Sequence, residues 1–533
     1  MAVQTASVMG TWRLFSVDEK RNIAVYIAGI MLYKFGLEAF NGSIIALATN
    51  RYDWANSIEG GPSRTFERVG LLTGLNQAFQ CVGSILIAPL IKRYPTKNVL
   101  SAAILCFALI TAILLIVDAS TGGYIKPRDW ESTHDEEDFS YYGNWNTDGM
   151  IPLYCVSGIA YGMVELIRRV IPRDIVGGNV QKLCRMDALV HIFYEVAGTS
   201  GAFCTALGLI PALGNNFSFI ITPILFTCAA VVWYFVRLGH AQHEKSEGSK
   251  LKGAGRKFVW LLPGYAFALY GHRYLENGIA PLIARRYLGN SAWSQIMVGG
   301  SNFGELLGAL TVFLFTNLIH TPMPWLRLDA LMLLIVWYLA FWYPPQEQVR
   351  YAWMVAGTFI PISFGWAAGD VSLAAYIQAS LARLEKDTKN VSALGAVMSF
   401  LYCTYIILYA ILSPLLGRYV DGVYNRTGGS DGGDIHEAIS NVGGVQFTVV
   451  CVVVLLATFI PKGAIAINPP FLYDERLDSD LDGLIDKDAS SDEVGAEAAM
   501  RKGSVGVGLE DALLEQKPEG SETILNSVAP GRV

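Results

Sequence analysis

Residues 34–42 read KFGLEAFNG, and residues 272–278 read HRYLENG. Both stretches lie inside long apolar runs, and each places a basic residue three positions before a Leu-Glu pair, with Asn-Gly after it. Each is later followed by Arg-Tyr, at residues 51–52 and 286–287. Aligning the two stretches requires a gap of two residues between the glutamate and the asparagine. A pattern that recurs in this order predicts that the chain is built from two related halves.

A second pair of segments supports the repeat. Each segment has two glycines nine positions apart that enclose three polar residues at matching positions. In the first half these residues are Gly74, Asn76, Gln77, Gln80 and Gly83. In the second half they are Gly299, Ser301, Asn302, Glu305 and Gly308. Two matches in the same order make a chance likeness a poor explanation, and internal repeats of this kind are typical of transporters.

The composition excludes several protein classes. Of 533 residues, 52% are apolar and only 16% are charged, whereas a soluble domain is about 25% charged. The mean hydropathy is +0.37. This composition excludes a disordered chain. It also excludes a disulfide scaffold, since seven of the eight cysteines lie inside apolar runs. With so few charged residues, the chain lacks the polar surface of a soluble multidomain enzyme. The composition indicates a polytopic membrane protein.

Twelve apolar segments have the length of about 20 residues that a membrane-spanning helix needs. Because lipid leaves backbone amides without hydrogen-bond partners, these segments must be helical. We therefore predict an all-α polytopic membrane protein of two pseudo-symmetric six-helix bundles. The predicted spans are 23–49, 67–91, 98–117, 151–171, 189–211, 217–237, 258–284, 293–317, 325–343, 352–371, 393–417 and 443–461.

Composition changes along the chain predict its domain boundaries. The segment between the sixth and seventh spans is polar, basic and contains Gly and Ser, which is typical of a linker. The last segment is acidic and has no hydrophobic period, which predicts disorder. The domains are a cytoplasmic N-terminus at 1–22, bundles at 23–237 and 258–461, a cytoplasmic linker at 238–257, and a disordered acidic cytoplasmic tail at 462–533.

Within the tail, residues 478–486 have part of the spacing of a calcium loop. Position 12 of that loop is Ala489 in place of glutamate, so we interpret the run as solvated acidic residues. Elsewhere, lysine and arginine concentrate in the connections on the side of the N-terminus, while the connection 118–150 on the other side is acidic. The positive-inside rule then predicts that both termini are cytoplasmic, in the plasma membrane or an endomembrane. The flipped topology is the alternative.

Twelve spans in two sets of six, a basic central linker and a repeat between halves together resemble the major facilitator superfamily, over residues 20–465. The family's signature between its second and third spans is Gly-x-Leu-x-Asp-Arg-x-Gly-Arg-Arg-x-x-Leu. Residues 88–100 read APLIKRYPTKNVL, and Lys92 stands where the family has the acid. The residues that fit the signature are Leu90, Arg93, Lys97 and Leu100.

The resemblance implies a secondary active transporter of a small solute that works by alternating access. It also implies that the first and seventh helices line a central cavity. Charged residues at membrane depth are costly and usually face a cavity or a partner. We predict a substrate and coupling site that takes an anionic or carboxylate-bearing solute and a proton. Its residues are Lys34, Glu38, His272, Arg273, Glu276 and Glu305.

Each of these predictions has a plainer alternative. The charged pairs could simply neutralise each other within one helix, and Glu305 could be protonated permanently and not exchange protons. Four polar residues, Asn76, Gln77, Gln80 and Asn302, either hydrogen bond a polar substrate in the cavity or join neighbouring helices. For these four polar residues, the sequence favours neither of the two roles.

A dense set of opposite charges lies near the predicted cytoplasmic ends of the second, fourth and fifth spans. Such charges can form a gate that opens and closes with conformation. They can also be snorkelling anchors that only reach the membrane surface. The predicted cytoplasmic gate consists of Arg93, Lys97, Glu165, Arg168 and Glu195.

Two further classes of function stay open. One is a membrane-embedded acyl- or glycosyltransferase that uses His191 or His272 as a base. The other is a transporter-like sensor with the tail as its output. The repeat favours the transporter, so we predict no enzymatic activity, no cofactor and no metal site. No phosphate-binding loop is found, which argues against ATP as the driving force. We expect the bilayer, a small-molecule substrate and a proton co-substrate as partners, a monomer, and no nucleic acid.

Overall fold

The computed structural model describes residues 15–59, 61–134, 138–176, 180–236, 261–315, 319, 321–385, 393–461 and 463–466. These residues are mostly helical, and no strand occurs among them. The predicted linker and the acidic run that resembles a calcium loop lie outside the described residues.

The first half contains six main helices, and each matches a predicted span. Its polar connection between the third and fourth helices holds a four-residue helix, Trp130–Thr133. The fifth helix continues through a π-helical turn, Thr205–Leu209. The six helices are α1 Val17–Glu59, α2 Thr65–Arg93, α3 Thr96–Ser120, α4 Met150–Val176, α5 Val180–Cys204 and α6 Ile221–Tyr234.

The second half repeats this arrangement with six more helices. The ninth continues as a 3-10 helix, Leu333–Phe341, and the twelfth is preceded by a π-helical turn, Ser440–Val445. The six helices are α7 Leu261–Tyr274, α8 Ser294–Phe315, α9 Met323–Met332, α10 Val349–Glu385, α11 Ala393–Arg426 and α12 Gln446–Thr458.

Ten helices in the described part of the chain are long and apolar enough to cross a membrane. The apolar segment Ser218–Tyr234, which contains α6, is shorter. Helix α7 has only 14 residues because the chain then forms two π-helical turns, Leu275–Ile279 and Ile283–Tyr287. Together with these two segments, the ten helices give the twelve predicted spans, and the predicted all-α fold class is confirmed. The first of the two π-helical turns after α7 contains Glu276. Such turns are frequent at functional sites.

The packing between helices shows the repeat directly. Within the first half, α2 packs on α4, α1 on α5 and α6, and α3 on α4 and α6. Adding six to each number gives the packing of the second half: α8 on α10, α7 on α11 and α12, and α9 on α10 and α12. The two halves meet where α2 contacts α11 and α5 contacts α8, which are equivalent pairs under the same rule. The two bundles are therefore related by approximate twofold symmetry.

Glycines allow the closest of these contacts, again at related places. A Cβ on Gly83 of α2 would lie 2.1 Å from the carbonyl oxygen of Ile159 on α4. A Cβ on Gly308 of α8, the counterpart of Gly83, would lie 2.4 Å from the carbonyl oxygen of Phe364 on α10. Helices that pack without a hydrophobic driving force gain stability from such close backbone approach.

The buried apolar side chains form two clusters, one centred in each half. Aromatic residues contribute much of the volume, including Tyr33 and Trp233 in the first and Tyr270 and Tyr409 in the second. Because each bundle has its own apolar core, the surface between the bundles is free to be polar.

Candidate functional site

A cavity of about 60 Å³ lies between the two halves. Most of its lining is neutral and able to hydrogen bond, and three lining residues are charged: Glu38, Arg273 and Glu276. A buried water occupies roughly 10–15 Å³ by this measure, so the space holds only a few waters. A solute of any size requires the halves to separate. The neutral polar lining residues include Asn41, Thr73, Asn76, Gln77, Gln80, Ser157, Asn277, Ser294, Gln295 and Tyr405.

The charged pair of the first half lies on α1. The Nζ atom of Lys34 is 2.5 Å from Oε1 of Glu38, and both side chains are buried. The ammonium group also lies 4.5 Å from the centre of the Tyr194 ring on α5, a cation–π contact. The predicted pair therefore forms, and the charge of Lys34 is balanced within its own bundle.

The corresponding pair of the second half is Arg273 with Glu276. Nη1 of Arg273 donates to Oε2 of Glu276 at 2.9 Å. The other carboxylate oxygen accepts a hydrogen bond from Ser301 on α8 at 2.8 Å. Glu276 is buried, but the side chain of Arg273 is 32% exposed and lines the cavity. This guanidinium can therefore contact a solute in a way that Lys34 cannot.

His272 joins two carboxylates of the second half. Its Nε2 atom lies 2.6 Å from Oε1 of Glu305 and 3.5 Å from Oε1 of Glu276. The imidazole is fully buried and stacks on the Trp366 ring at 5.4 Å. Sequence spacing placed His272 with Glu276, four residues along the helix. The closer partner is Glu305, which comes from another helix.

Glu305 also reaches the first half. A carboxylate oxygen of Glu195, on α5, lies within 4.8 Å of a Glu305 carboxylate oxygen. A ring nitrogen of His191 lies within the same distance of both oxygens. Glu195 was predicted at the cytoplasmic gate, but its side chain lies in this central group. Two adjacent carboxyl groups in a low dielectric are costly to ionise together. The bundles are thus joined through a pair of acids.

We call the eight charged or titratable residues gathered here the central cluster. It contains side chains from both bundles and from four helices. Its members are Lys34, Glu38, His191, Glu195, His272, Arg273, Glu276 and Glu305.

The polar residues of α2 are held mainly within the first bundle. Asn76 donates to the carbonyl oxygen of Tyr154 on α4 at 2.7 Å, and Gln80 donates to Asn76 at 2.9 Å. Gln77 instead accepts from Tyr405 of α11 at 3.0 Å, across the two halves. All three also line the cavity, so both predicted roles, helix contact and cavity wall, are geometrically available.

Asn302, the fourth predicted polar residue, lies where α8 packs on α5, close to Gly198. It is buried, and its amide nitrogen has no hydrogen-bond partner among the described residues. A buried amide that lacks a partner is costly. Asn302 is therefore a group that a ligand or water could satisfy.

Two of the predicted gate residues form a network inside the first bundle. Arg168 donates to Glu165 at 2.7 Å, and Glu165 accepts from Tyr33 of α1 and Tyr194 of α5. The guanidinium lies 4.2 Å from the centre of the Tyr194 ring, on which Lys34 also rests. These contacts join α1, α4 and α5, which all belong to one half.

Arg93 and Lys97, the gate residues near the family signature, lie at the ends of α2 and α3. Arg93 is exposed. The Nζ atom of Lys97 donates to the carbonyl oxygen of Tyr234 on α6 at 3.3 Å. The contacts seen for Lys97 are again within the first bundle.

The contact between bundles that sequence reasoning missed lies at the opposite end, beside the 118–150 connection. We call this the outer end, after the orientation predicted from the sequence. Asp53 of α1 accepts from Arg285 at 2.6 Å and from Arg286 at 2.8 Å, and these three side chains are nearly buried. Asn425 of α11 adds hydrogen bonds in both directions to the backbone of Ser63. The outer end is therefore closed in this structure.

One signal pointed to this contact. The Arg-Tyr pairs were recognised as a repeat, and Asp53 directly follows the first pair. Arg51 stays within its own half, where it donates to the carbonyl oxygens of Gly143 and Trp145. Its counterpart Arg286 crosses to the other half. Equivalent positions in a repeat do not determine whether a side chain bonds within or between the bundles.

Comparisons with known proteins agree with this architecture. The model of the Major Facilitator Superfamily matches residues 26–402. The nucleoside transporter NupG has a similar structure, with a TM-score of 0.52, 10% identity, and coverage of 84% of this chain and 100% of NupG. A mutant of NupG gives a TM-score of 0.55 at 10% identity, covering 81% of this chain and 99% of the other.

The proton:xylose symporter XylE, bound to 6-bromo-6-deoxy-D-glucose, gives a TM-score of 0.54 at 11% identity, covering 83% of this chain and 96% of XylE. At such identities the likeness concerns the fold alone. A sequence search among curated proteins finds no match. The family match covers well over half of the chain, and the chain belongs to the major facilitator superfamily. It is therefore a multi-pass membrane transporter, which supports the prediction that it is not an enzyme.

Proposed function

We propose that this protein is a proton-coupled secondary transporter of a small polar solute that carries an anionic group. The observation that carries the coupling is the contact of Glu305 with Glu195 and His272. A shared proton between acids of opposite bundles is released or gained when the bundles separate. Proton binding is thereby linked to the movement that alternating access needs.

The cavity supports the solute class. Its neutral lining offers many hydrogen-bond donors and acceptors, which suits a hydroxyl- or amide-bearing molecule. Arg273 is the charged side chain with substantial exposure there, and one of its nitrogens is bonded to Glu276. A guanidinium has five N–H donors in a planar fork that matches a carboxylate. A carboxylate or similar anion on the solute can therefore bind at Arg273.

Lys34 has a different role in this proposal. It is buried and lies 2.5 Å from Glu38, so it stabilises the site without contacting the solute. The predicted gate of Glu165 and Arg168 would act by fixing the position of Tyr194, which lies between the two cations. We keep the proposal of cytoplasmic termini, which rests on the distribution of lysine and arginine, and of a monomer.

Proteoliposomes containing the full chain and a pH-sensitive dye test the function. Anionic, cationic and neutral polar solutes are added in turn, and the proton movement that each one drives is measured. We expect an anionic solute to drive proton movement in wild type. Arg273→Gln should weaken the response to that solute and spare neutral ones. Proton movement with none of the three classes would contradict the proposal, and so would unchanged anion preference in Arg273→Gln.

Rocking of the bundles has a separate test at α2 and α11. The sulfur atoms of Cys81 and Cys403, on opposite halves, lie 3.4 Å apart. A mild oxidant that joins them should stop solute flux, and a reductant should restore it. Cys81→Ser is the matched control and should be insensitive to the oxidant. Continued flux in fully cross-linked protein would exclude movement between these helices.

A further inference from the structure

A second cavity lies at the outer end of the molecule, between the 118–150 connection of the first half and residues 285–293 of the second. We call it the outer cavity. Its volume is about 120 Å³, about twice that of the central cavity, and no described residue lines both. A buried water occupies roughly 10–15 Å³ by this measure. The outer cavity therefore has room for a small organic molecule while the outer end is closed.

Aromatic rings form much of the wall of the outer cavity. Trp130, Phe139 and Tyr141 belong to the connection of the first half, and Trp293 belongs to the short turn before α8 in the second. The centre of the Tyr141 ring lies 5.2 Å from that of Trp130 and 6.5 Å from that of Phe139. Rings that pack on one another in this way present a fixed apolar surface. Sites for small molecules are lined mainly by such surfaces, with a few polar groups that orient the ligand.

Two buried amides in the lining have acceptor atoms that are not used. Asn50 of α1 is 3% exposed, and Asn215 is 5% exposed. Both amide nitrogens donate to the hydroxyl of Tyr142, at 3.3 and 3.4 Å, so the two amides lie side by side. Their Oδ1 atoms have no hydrogen-bond partner among the described residues. A buried acceptor without a partner costs free energy, and a ligand that brings two neighbouring donors would satisfy both oxygens.

The charged residues of the lining favour a neutral ligand. Lys126 and Asp138 have opposite charges, and Nε of Arg285 donates to Asp53 at 2.6 Å. Since charges of both signs surround the cavity, an ion of either sign is not strongly attracted to it. The ligand of the outer cavity therefore differs in charge from the anionic solute proposed for the central cavity.

We propose that the outer cavity is a second ligand-binding site, and that it takes a cyclic polyol, a neutral ring compound with neighbouring hydroxyl groups. Two hydroxyls of the ligand donate to the Oδ1 atoms of Asn50 and Asn215. The apolar C–H face of the ring packs on the aromatic wall. This site goes beyond the proposed function, because its ligand is uncharged and does not enter the central cavity.

The position of the outer cavity determines what a bound ligand does. The lining residue Asn290 is exposed, so the cavity can be reached from the surface. Its walls come from both halves, and Arg285 holds the outer end closed through Asp53. Because separation of the halves moves the walls apart, the ligand binds the closed outer end more tightly and shifts the population towards it. We therefore expect a cyclic polyol to slow solute flux.

Saturation-transfer NMR of the full chain in lipid nanodiscs tests the binding. The probe is myo-inositol, and the matched control is its fully O-methylated derivative, which keeps the ring and the oxygens but has no donors. Signals from empty nanodiscs are subtracted. We expect saturation transfer to the ring C–H protons of inositol and a much weaker effect on the methylated compound. Equal transfer to both compounds, or none to inositol, would overturn the proposal.

Variants locate the site. Asn215→Ala removes one acceptor and should weaken inositol binding by about 3- to 10-fold, the range expected for one hydrogen bond. The matched control is Asn41→Ala, which removes an amide from the central cavity and should leave inositol affinity unchanged. Should Asn215→Ala fail to fold, Trp293→Ala is the second variant, since it removes the half-buried ring on the other wall. Unchanged affinity in the variant that folds, or a loss in Asn41→Ala, would place inositol elsewhere and overturn the proposal.

Flux in proteoliposomes measures the consequence. Inositol added on the outer side should lower the flux of the anionic solute in wild type, and Asn215→Ala should need about 3- to 10-fold more inositol for the same effect. Saturating inositol that leaves the flux unchanged would overturn the link to closure. The outcomes are separable from the proposed function. Protein that binds inositol but moves no protons with any solute refutes the proposed function alone. Protein that moves protons but binds no inositol refutes the outer site alone.

Discussion

Helices α2 and α8 occupy equivalent places in the two bundles, and their polar residues stand at equivalent positions, yet they behave differently. On α2, Asn76 and Gln80 bond each other and the neighbouring α4. On α8, the counterpart of Gln80 is Glu305, which contacts His272 of its own bundle and Glu195 of the other. The repeat therefore determines the positions, while the residue type determines whether a position serves packing or coupling.

The reason is electrostatic. A neutral amide is satisfied by one or two local hydrogen bonds, so it can be buried between any two helices. A carboxylate at the same depth needs a proton or a cation, and Glu305 lies between His272 of its own bundle and Glu195 of the other. A single change from an amide to an acid therefore converts a packing position into one whose electrostatic environment depends on the distance between the halves.

Removing that acid should have the largest effect. Glu305→Gln makes α8 resemble α2, and we expect solute-driven proton flux to fall by about 100-fold or more, in the range that proton-transfer groups contribute. Exchange of solute between compartments at equal pH should continue, because the cavity is unchanged. The pH dye assay in proteoliposomes measures the first quantity, and radiolabelled exchange measures the second. Wild-type proton flux in this variant would contradict the proposed difference between α2 and α8.

The next largest effect concerns the buried pair on α1. Lys34→Gln leaves Glu38 buried without its cation, and breaking a buried pair costs about 3–5 kcal/mol of the free energy of unfolding. The double variant Lys34→Gln with Glu38→Gln should recover most of that loss, since no lone charge remains. Denaturant unfolding in detergent measures both. Arg273→Gln is the matched control in the other half, with a smaller loss because Arg273 is 32% exposed.

The contact at the outer end allows the two halves to be compared at another pair of equivalent positions, the residues that follow the two Arg-Tyr pairs. Asp53 follows one Arg-Tyr pair, whereas the buried Leu288 follows the other. Asp53→Asn should weaken the closed outer end by about 2 kcal/mol or more, the lower range for loss of a buried charged partner. A cysteine at the cavity residue Asn277 should then react faster with an impermeant maleimide added from the outer side.

Two controls accompany the Asp53 experiment. The native cysteines are replaced first, so that labelling reports the introduced one. Glu437→Gln, which removes an exposed ion pair at the protein surface, should leave the labelling rate unchanged. Equal labelling of Asp53→Asn and its parent would show that this contact does not hold the outer end closed.

The smallest effect is expected on α2 itself. Gln80→Ala removes one hydrogen bond to Asn76 on the same helix, and even side-chain hydrogen bonds that join two membrane helices contribute about 1 kcal/mol or less. Thermal stability should fall slightly and proton flux should stay near wild type. A loss of flux as large as that of Glu305→Gln would mean that α2 also takes part in coupling, and the asymmetry between the bundles would be wrong.

Much of the architecture could be predicted from local sequence. The lengths of the apolar segments predicted twelve spans, and the helices match them. The four-residue spacing of Lys34 and Glu38 predicted that these two residues pair. Contacts between distant helices could not be predicted in this way. Glu195 was predicted in the same cytoplasmic gate as Arg168, but one of its oxygens lies within 4.8 Å of Glu305, which comes from the other half. Spacing describes neighbours on one helix and carries no information on which helices face each other.

The sequence by itself determined the membrane class, the two related halves and the pairs within single helices, because burial of apolar surface and helical periodicity are local properties. Only the tertiary structure decided which charges meet across the bundles. Asp53 reaches two arginines and Glu305 reaches Glu195 because α1 lies beside the end of α7, and α5 lies beside α8. Those contacts depend on how twelve helices pack, since Asp53 and Arg285 are 232 positions apart in the sequence.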